Sequence, residues 1–257
     1  MSGTAGEEGA AAETGLAAGL VGMLPLLLAY ELAQGAGLAW RNSSERMATR
    51  ALELLGPGED TGRLVAILVL GGLAAAACVR DGLPLFPLIG RQVVRGGIGA
   101  VVLGPLLALS LVLLDYRVAV GASAGGALSG PALVGVVSGA AWEELVFRVG
   151  AYGLIFLCAR RVGLFAGASE SGARWTAEIV GLLGSAALFA AFHLELLSSW
   201  LGTGGEEFHA AAFTYRFFAG ILLGLLFRWR GPGVAAWSHG LFNLSLALGV
   251  APGSLVG

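Results

Sequence analysis

The chain has 257 residues, is 56% hydrophobic and carries only 12% charged residues, with a mean hydropathy of +0.81. About 25% charge is usual for a soluble domain, so a water-soluble globular fold is excluded. The net charge of -2 and the lack of any basic block exclude a nucleic-acid partner, because nothing is available to neutralise phosphates.

Apolar runs of about 18 residues, enough to cross a hydrocarbon core of ~30 Å, recur along the chain and predict a polytopic bundle of transmembrane helices. Residues 1–14 hold Glu7, Glu8 and Glu13 with no basic residue, which is not the pattern of a secretory signal; they read as a disordered acidic tail. Seven spans are expected, at residues 15–40, 64–79, 96–116, 131–159, 177–200, 213–229 and 234–250. An eighth is an alternative at residues 83–89, an apolar patch broken by Pro84 and Pro87 and read as interfacial or re-entrant. Residues 41–62 mix arginines and acids with apolar residues and predict a surface helix ended by Gly56, Pro57 and Gly58. Residues 121–130, 167–174 and 202–209 read as loops. Residues 15–130 thus form an N-terminal membrane region with an Arg-rich surface segment, and residues 131–250 a helical core.

All fifteen basic residues are Arg, a usage expected of a GC-rich bacterial genome. Arg80, Arg91 and Arg95, then Arg160, Arg161 and Arg174, then Arg228 and Arg230 follow the even-numbered spans, which assigns those ends to the cytoplasm; the loop after the first span, with four arginines offset by nearby acids, runs against this pattern. Cys78 and Cys158 lie in apolar stretches and read as small buried side chains without a disulfide or metal spacing.

Ionisable residues inside a span are costly, about 2.5–3.5 kcal/mol on insertion scales, so each requires a reason. Glu143 falls roughly 18 Å into the fourth span at ~1.5 Å per residue, near the bilayer middle. Glu144 and Arg148 are four apart and can pair, which leaves the neighbouring Glu143 for chemistry. Phe189 and His193 repeat the i,i+4 spacing in the fifth span, and His239 and Asn243 in the seventh. Singly, each His or Asn reads as interhelical packing glue; together on three spans they predict a polar chamber. A carboxylate in a low-dielectric site is suited to act as a general base on water, and imidazole and carboxamide donors to hold an oxyanion. No Ser or Cys stands beside a His as a nucleophile, which favours direct attack by water. No cofactor is called for; Glu and His are also zinc ligands, which leaves a metal open, although no His-Glu-x-x-His helix exists. Glu31 is expected to pair with a neighbouring helix, Glu195 to sit near the interface, and Glu206, Glu207 and His209 to form a solvated loop. Phe189, Trp142 and Phe192 read as packing.

Glu143-Glu144-x-x-x-Arg148, Phe189-x-x-x-His193 and His239-x-x-x-Asn243, together with residues 218–226 and the run from Trp237 to Asn243, resemble the motifs of the CPBP intramembrane endopeptidases. That family includes the type II CAAX prenyl endopeptidases and the bacteriocin self-immunity proteins. The resemblance covers residues 131–250. It implies an all-helical catalytic core opening to the cytosol of a multi-pass cell-membrane protein. Glu143 would then activate water and His193 help to hold it, His239 and Asn243 would form the oxyanion site, and Glu144 with Arg148 would support Glu143. The implied partners are the lipid bilayer and a membrane-associated peptide or protein substrate, of CAAX or leader type. The alternatives are a non-proteolytic scaffold or immunity protein on the same fold and, ranked last, a small transporter with Glu143 and the histidines as a proton relay; no matching broken helices in the two halves support the latter.

Overall fold

The computed structural model describes residues 13, 15–38, 40–53, 59–115 and 129–248. Among these the chain is helical throughout, with one isolated bridge between Leu194 and Glu206. The helices are α1 (Leu16–Gly35), α2 (Ser43–Glu53), α3 (Glu59–Arg80), α4 (Leu85–Leu113), α5 (Gly130–Glu144), α6 (Gly153–Phe165), α7 (Glu170–Ala191), the single turn α8 (Glu195–Ser198), α9 (Ala210–Arg230) and α10 (Pro232–Ala247). A π-helical segment, Leu145–Tyr152, joins α5 to α6 without a break.

Among the described residues, four helices are long and apolar enough to cross a membrane: Leu16–Gly35, Thr61–Arg80, Leu85–Leu113 and Ala210–Arg230. Their outer faces carry exposed Leu68, Val69, Leu73, Ile98, Val101 and Val102, an apolar surface too extensive for water and suited to lipid. The fifth expected span ends earlier than its hydropathy suggested, at Ala191, because the chain turns there and bonds back on itself. The seventh is a 16-residue helix.

α1 and α10 form the middle of the bundle. α10 packs on α1, α4, α5 and α9, and α1 on α3 and α5. One core cluster joins Met23, Leu27 and Tyr30 of α1 to Ile67 of α3, Trp142 of α5 and Ala236 of α10. Lipid offers no hydrophobic drive between helices, so close approach and interhelical hydrogen bonds hold them. Trp237 Nε1 donates to the Gly22 carbonyl (2.9 Å), Ser238 Oγ to the Gly96 carbonyl (2.9 Å) and Gln92 Nε2 to the Ala18 carbonyl (2.7 Å). Gly231, at φ 85°, makes the tight reversal from α9 into α10. Gly240 permits the closest approach at the site: a Cβ there would lie 2.4 Å from the backbone oxygen of Val137. Gly240→Val should therefore cost about 1–3 kcal/mol by overpacking. A fall of several degrees in Tm in detergent is expected, and an unchanged Tm would mean that α5 and α10 are not in contact there.

Several expectations are corrected. Residues 83–89 are neither re-entrant nor a separate span: Pro84 caps α4 and Pro87 sits in its first turn, where a missing N–H costs no hydrogen bond. Arg91 and Arg95 consequently lie inside α4, where both pair with Glu13 (3.0 and 2.9 Å), so the last acidic residue of the tail is anchored. Arg160, Arg161 and Arg174 are on helices as well. α2 is no simple surface helix: Glu45 and Thr49 are buried and meet Arg63 of α3. Cys158 is exposed, while Cys78 is buried. The rest of the acidic tail, the Gly56-Pro57-Gly58 stop and most of the linker at 121–130 lie outside the described residues.

Candidate active site

The end of α5 presents two successive carboxylates to different surroundings. Glu144 is fully buried, with Arg148, also fully buried, 3.4 Å away through Nε. The Arg148 guanidinium lies over the Phe189 ring, 5.0 Å from its centroid. Phe189 makes edge contacts with Phe147 and with the rings of His193 and His239. It therefore braces the cation and both imidazoles, which is more than the simple packing expected of it; Phe192, packed edge-on against Phe147, also faces the cavity. Trp142 is buried in the core as expected. π-helical turns are rare and cluster at functional sites; here the π segment begins directly after Glu144 and carries Arg148.

His239 bridges the two acids. Its Nδ1 is 3.0 Å from Glu144 Oε1, and its Nε2 is 3.5 Å from Glu143 Oε2. A carboxylate held by Arg148 accepts, so the ring hydrogen is assigned to Nδ1. Nε2 is then the nitrogen that gains a proton when the imidazole becomes charged. His193 lies two residues past the end of α7, in the turn, with Nδ1 2.9 Å from the Phe189 carbonyl. Asn243, one turn beyond His239 on α10, lines the same cavity.

That cavity, about 480 Å³, brings together Glu143, His193, His239 and Asn243. Glu144 and Arg148 are not on its wall but support it from behind, through His239 and Phe189. Leu103 and Leu107 of α4, Leu223 of α9, and Phe242 and Leu246 of α10 make its apolar part. Among the described residues no group of three or more His, Cys, Asp or Glu is arranged to hold a metal ion.

Two contributions escaped the sequence reading. Asn42, between α1 and α2, donates from Nδ2 to Glu143 Oε1 at 2.6 Å, across 101 residues of chain. Its sequence signal, a polar residue just before a helix start, marks a cap and says nothing of a distant partner. Glu206 is not a solvated loop residue: it is ion-paired to Arg216 of α9 at the cavity. Its backbone closes a loop with Glu206 N donating to the His193 carbonyl (3.0 Å) and Glu195 N to the Glu206 carbonyl (2.8 Å). This loop meets α2 through Ser43 and Thr203, whose hydroxyls are 2.8 Å apart. Glu31 pairs with Arg63 of α3 at 2.7 Å, as expected of a helix-helix pair, and Glu195 is exposed.

No curated protein and no solved structure matches the chain. Comparison with protein families matches residues 126–245 to the family described as type II CAAX prenyl endopeptidase Rce1-like. The match ends two residues past His239-x-x-x-Asn243, spans the helix that carries Glu143 and the turn that carries His193, and accords with the apolar helices of a multi-pass membrane protein. Residues 126–245 are thus similar to the Rce1-like type II CAAX prenyl endopeptidases, and this match supports the resemblance carried by the motifs.

Proposed function

We propose that the protein hydrolyses peptide bonds of membrane-associated substrates, of CAAX or leader type, by glutamate-activated water, in the inner membrane of a bacterium. The observation that carries this reading is the convergence of a carboxylate, two imidazoles and a carboxamide on one largely apolar cavity.

In this mechanism Glu143 takes a proton from a water molecule held with the help of His193. The water oxygen forms a bond to the scissile carbonyl carbon, and the carbonyl π electrons move to its oxygen. Asn243 donates to that oxyanion from its amide, and His239 does so from Nε2 in its doubly protonated form. His239 is held for this by Glu144, which is braced by Arg148 and lies against Nδ1, fixing the ring in place. As the oxyanion collapses the C–N bond breaks, and the proton held by Glu143 passes to the departing amine. Donors preset for such an oxyanion supply the largest share of catalysis in many acyl-transfer sites. The apolar wall of Leu103, Leu107, Leu223, Phe242 and Leu246 suits an isoprenoid chain or apolar side chains next to the cut.

Purified protein and Glu143→Ala, each with and without chelator, should be given fluorogenic peptides of CAAX and leader type. Cleavage by the wild type that survives chelator and is lost in the variant is the expected result. Loss in chelator would replace the mechanism with a metal-dependent one. No cleavage of any peptide by the wild type would sink the peptidase reading in favour of a binding scaffold.

A further inference from the structure

The N-terminal region, outside the segment matched to the family, lines part of the cavity and meets Glu143 through Asn42. Asn42 is held on three sides. Its backbone N donates to the Tyr30 hydroxyl at 2.8 Å, its Oδ1 accepts from Ser44 N at 2.8 Å at the start of α2, and its Nδ2 donates to Glu143 Oε1 at 2.6 Å. Tyr30 is fully buried, and its hydroxyl also accepts from Gln34 Nε2 at 3.1 Å. α2 in turn is clamped from below. Arg63 of α3 is buried and binds Glu31 of α1, Glu45 of α2 and the Thr49 hydroxyl. Gly139, one turn before Glu143 on α5, leaves room for the amide: a Cβ there would be 3.3 Å from Asn42 Nδ2.

These contacts assign the two ends of the Asn42 amide to different tasks. The oxygen caps a helix, which fixes the amide plane, and the nitrogen then has one direction in which to donate. That direction is the Glu143 oxygen that does not face His239. A carboxylate in a cavity has two torsions near its end free to turn, and a donor on one oxygen stops that rotation. The other oxygen is left aimed at the space beside His239.

We propose that Asn42 is a positioning residue of the peptidase site, holding the Glu143 carboxylate in orientation from a helix clamped by Arg63. The proposal rests on the reading of Glu143 as the group that activates water. It implies that the helices of residues 126–245 are not a complete site, and that the N-terminal region completes it.

Two substitutions separate the positioning task from the cap. Asn42→Ser and Asn42→Asp both keep an oxygen able to cap α2, since Ser, Asp and Asn are similarly good caps, but both lose the Nδ2 donor. Asn42→Ser should lower kcat about 10- to 100-fold, the range for a hydrogen bond to a charged group, with KM within about two-fold and the protein still folded, its Tm lower by only a few degrees. Asn42→Asp should fall further, because it sets a second carboxylate against Glu143. If Asn42 were only a cap, both variants would keep wild-type kcat. That result, with Glu143→Gln inactive, would overturn the proposal and leave the glutamate mechanism standing. The contact is also read without substrate, through the apparent Tm of Asn42→Ser, Glu143→Ala and the double variant. Non-additive shifts are expected for groups in contact, and strictly additive shifts would overturn the proposal even if no peptide were ever cleaved.

Discussion

Glu143→Gln should cut kcat by about 10²–10⁴-fold, the usual contribution of a positioned general base, while the protein remains folded. The amide has the shape of the carboxylate, and its oxygen can still accept from Asn42 Nδ2. The chamber therefore keeps its form and loses only the group that takes the proton from water. The check is single-turnover cleavage by the variant beside its Tm in detergent. A variant that cleaved at wild-type rate would remove Glu143 from the mechanism. A variant that failed to fold would mean that the side chain is needed for its charge in the bundle.

Arg148→Met should be the most destabilising single change at the site. Removing one member of a buried ion pair leaves the other uncompensated, at a cost of about 3–5 kcal/mol. Here the residue left behind is Glu144, fully buried, with His239 Nδ1 as its remaining polar partner. The double variant Glu144→Gln with Arg148→Met should regain most of the lost stability, because replacing a whole buried pair by neutral groups is often close to neutral. It should not regain activity. The amide introduced by Glu144→Gln can still accept from His239 Nδ1, but it brings no negative charge to the site. Urea or SDS titration of the three proteins, run beside cleavage assays, tests both parts. Recovery of full activity in the double variant would show that the charge of Glu144 plays no part in catalysis.

The division of labour between the two glutamates shows how far a sequence can be read. Adjacent acids and an arginine four residues on, inside an apolar run, leave few physical options, because a lone charge there is too costly to keep without a partner. The pairing of Glu144 with Arg148 therefore followed from spacing. The relation of His239 to both acids did not, since it needs α10 to lie against α5, and that depends on Gly240 meeting the backbone at Val137.

The sequence by itself determined the class of the protein, an all-helical membrane chain, because hydropathy and charge act locally and every backbone group in lipid must be satisfied within its own helix. It also determined which residues with chemistry lie in the apolar runs, and through their order the resemblance to a family. The tertiary structure alone decided that α7 stops short of His193, that Glu206 turns back to the cavity, and that Asn42 meets Glu143 across 101 residues. Each of these is a contact between segments distant in the chain, with geometry set by packing and interhelical hydrogen bonds, and no local periodicity encodes such a meeting.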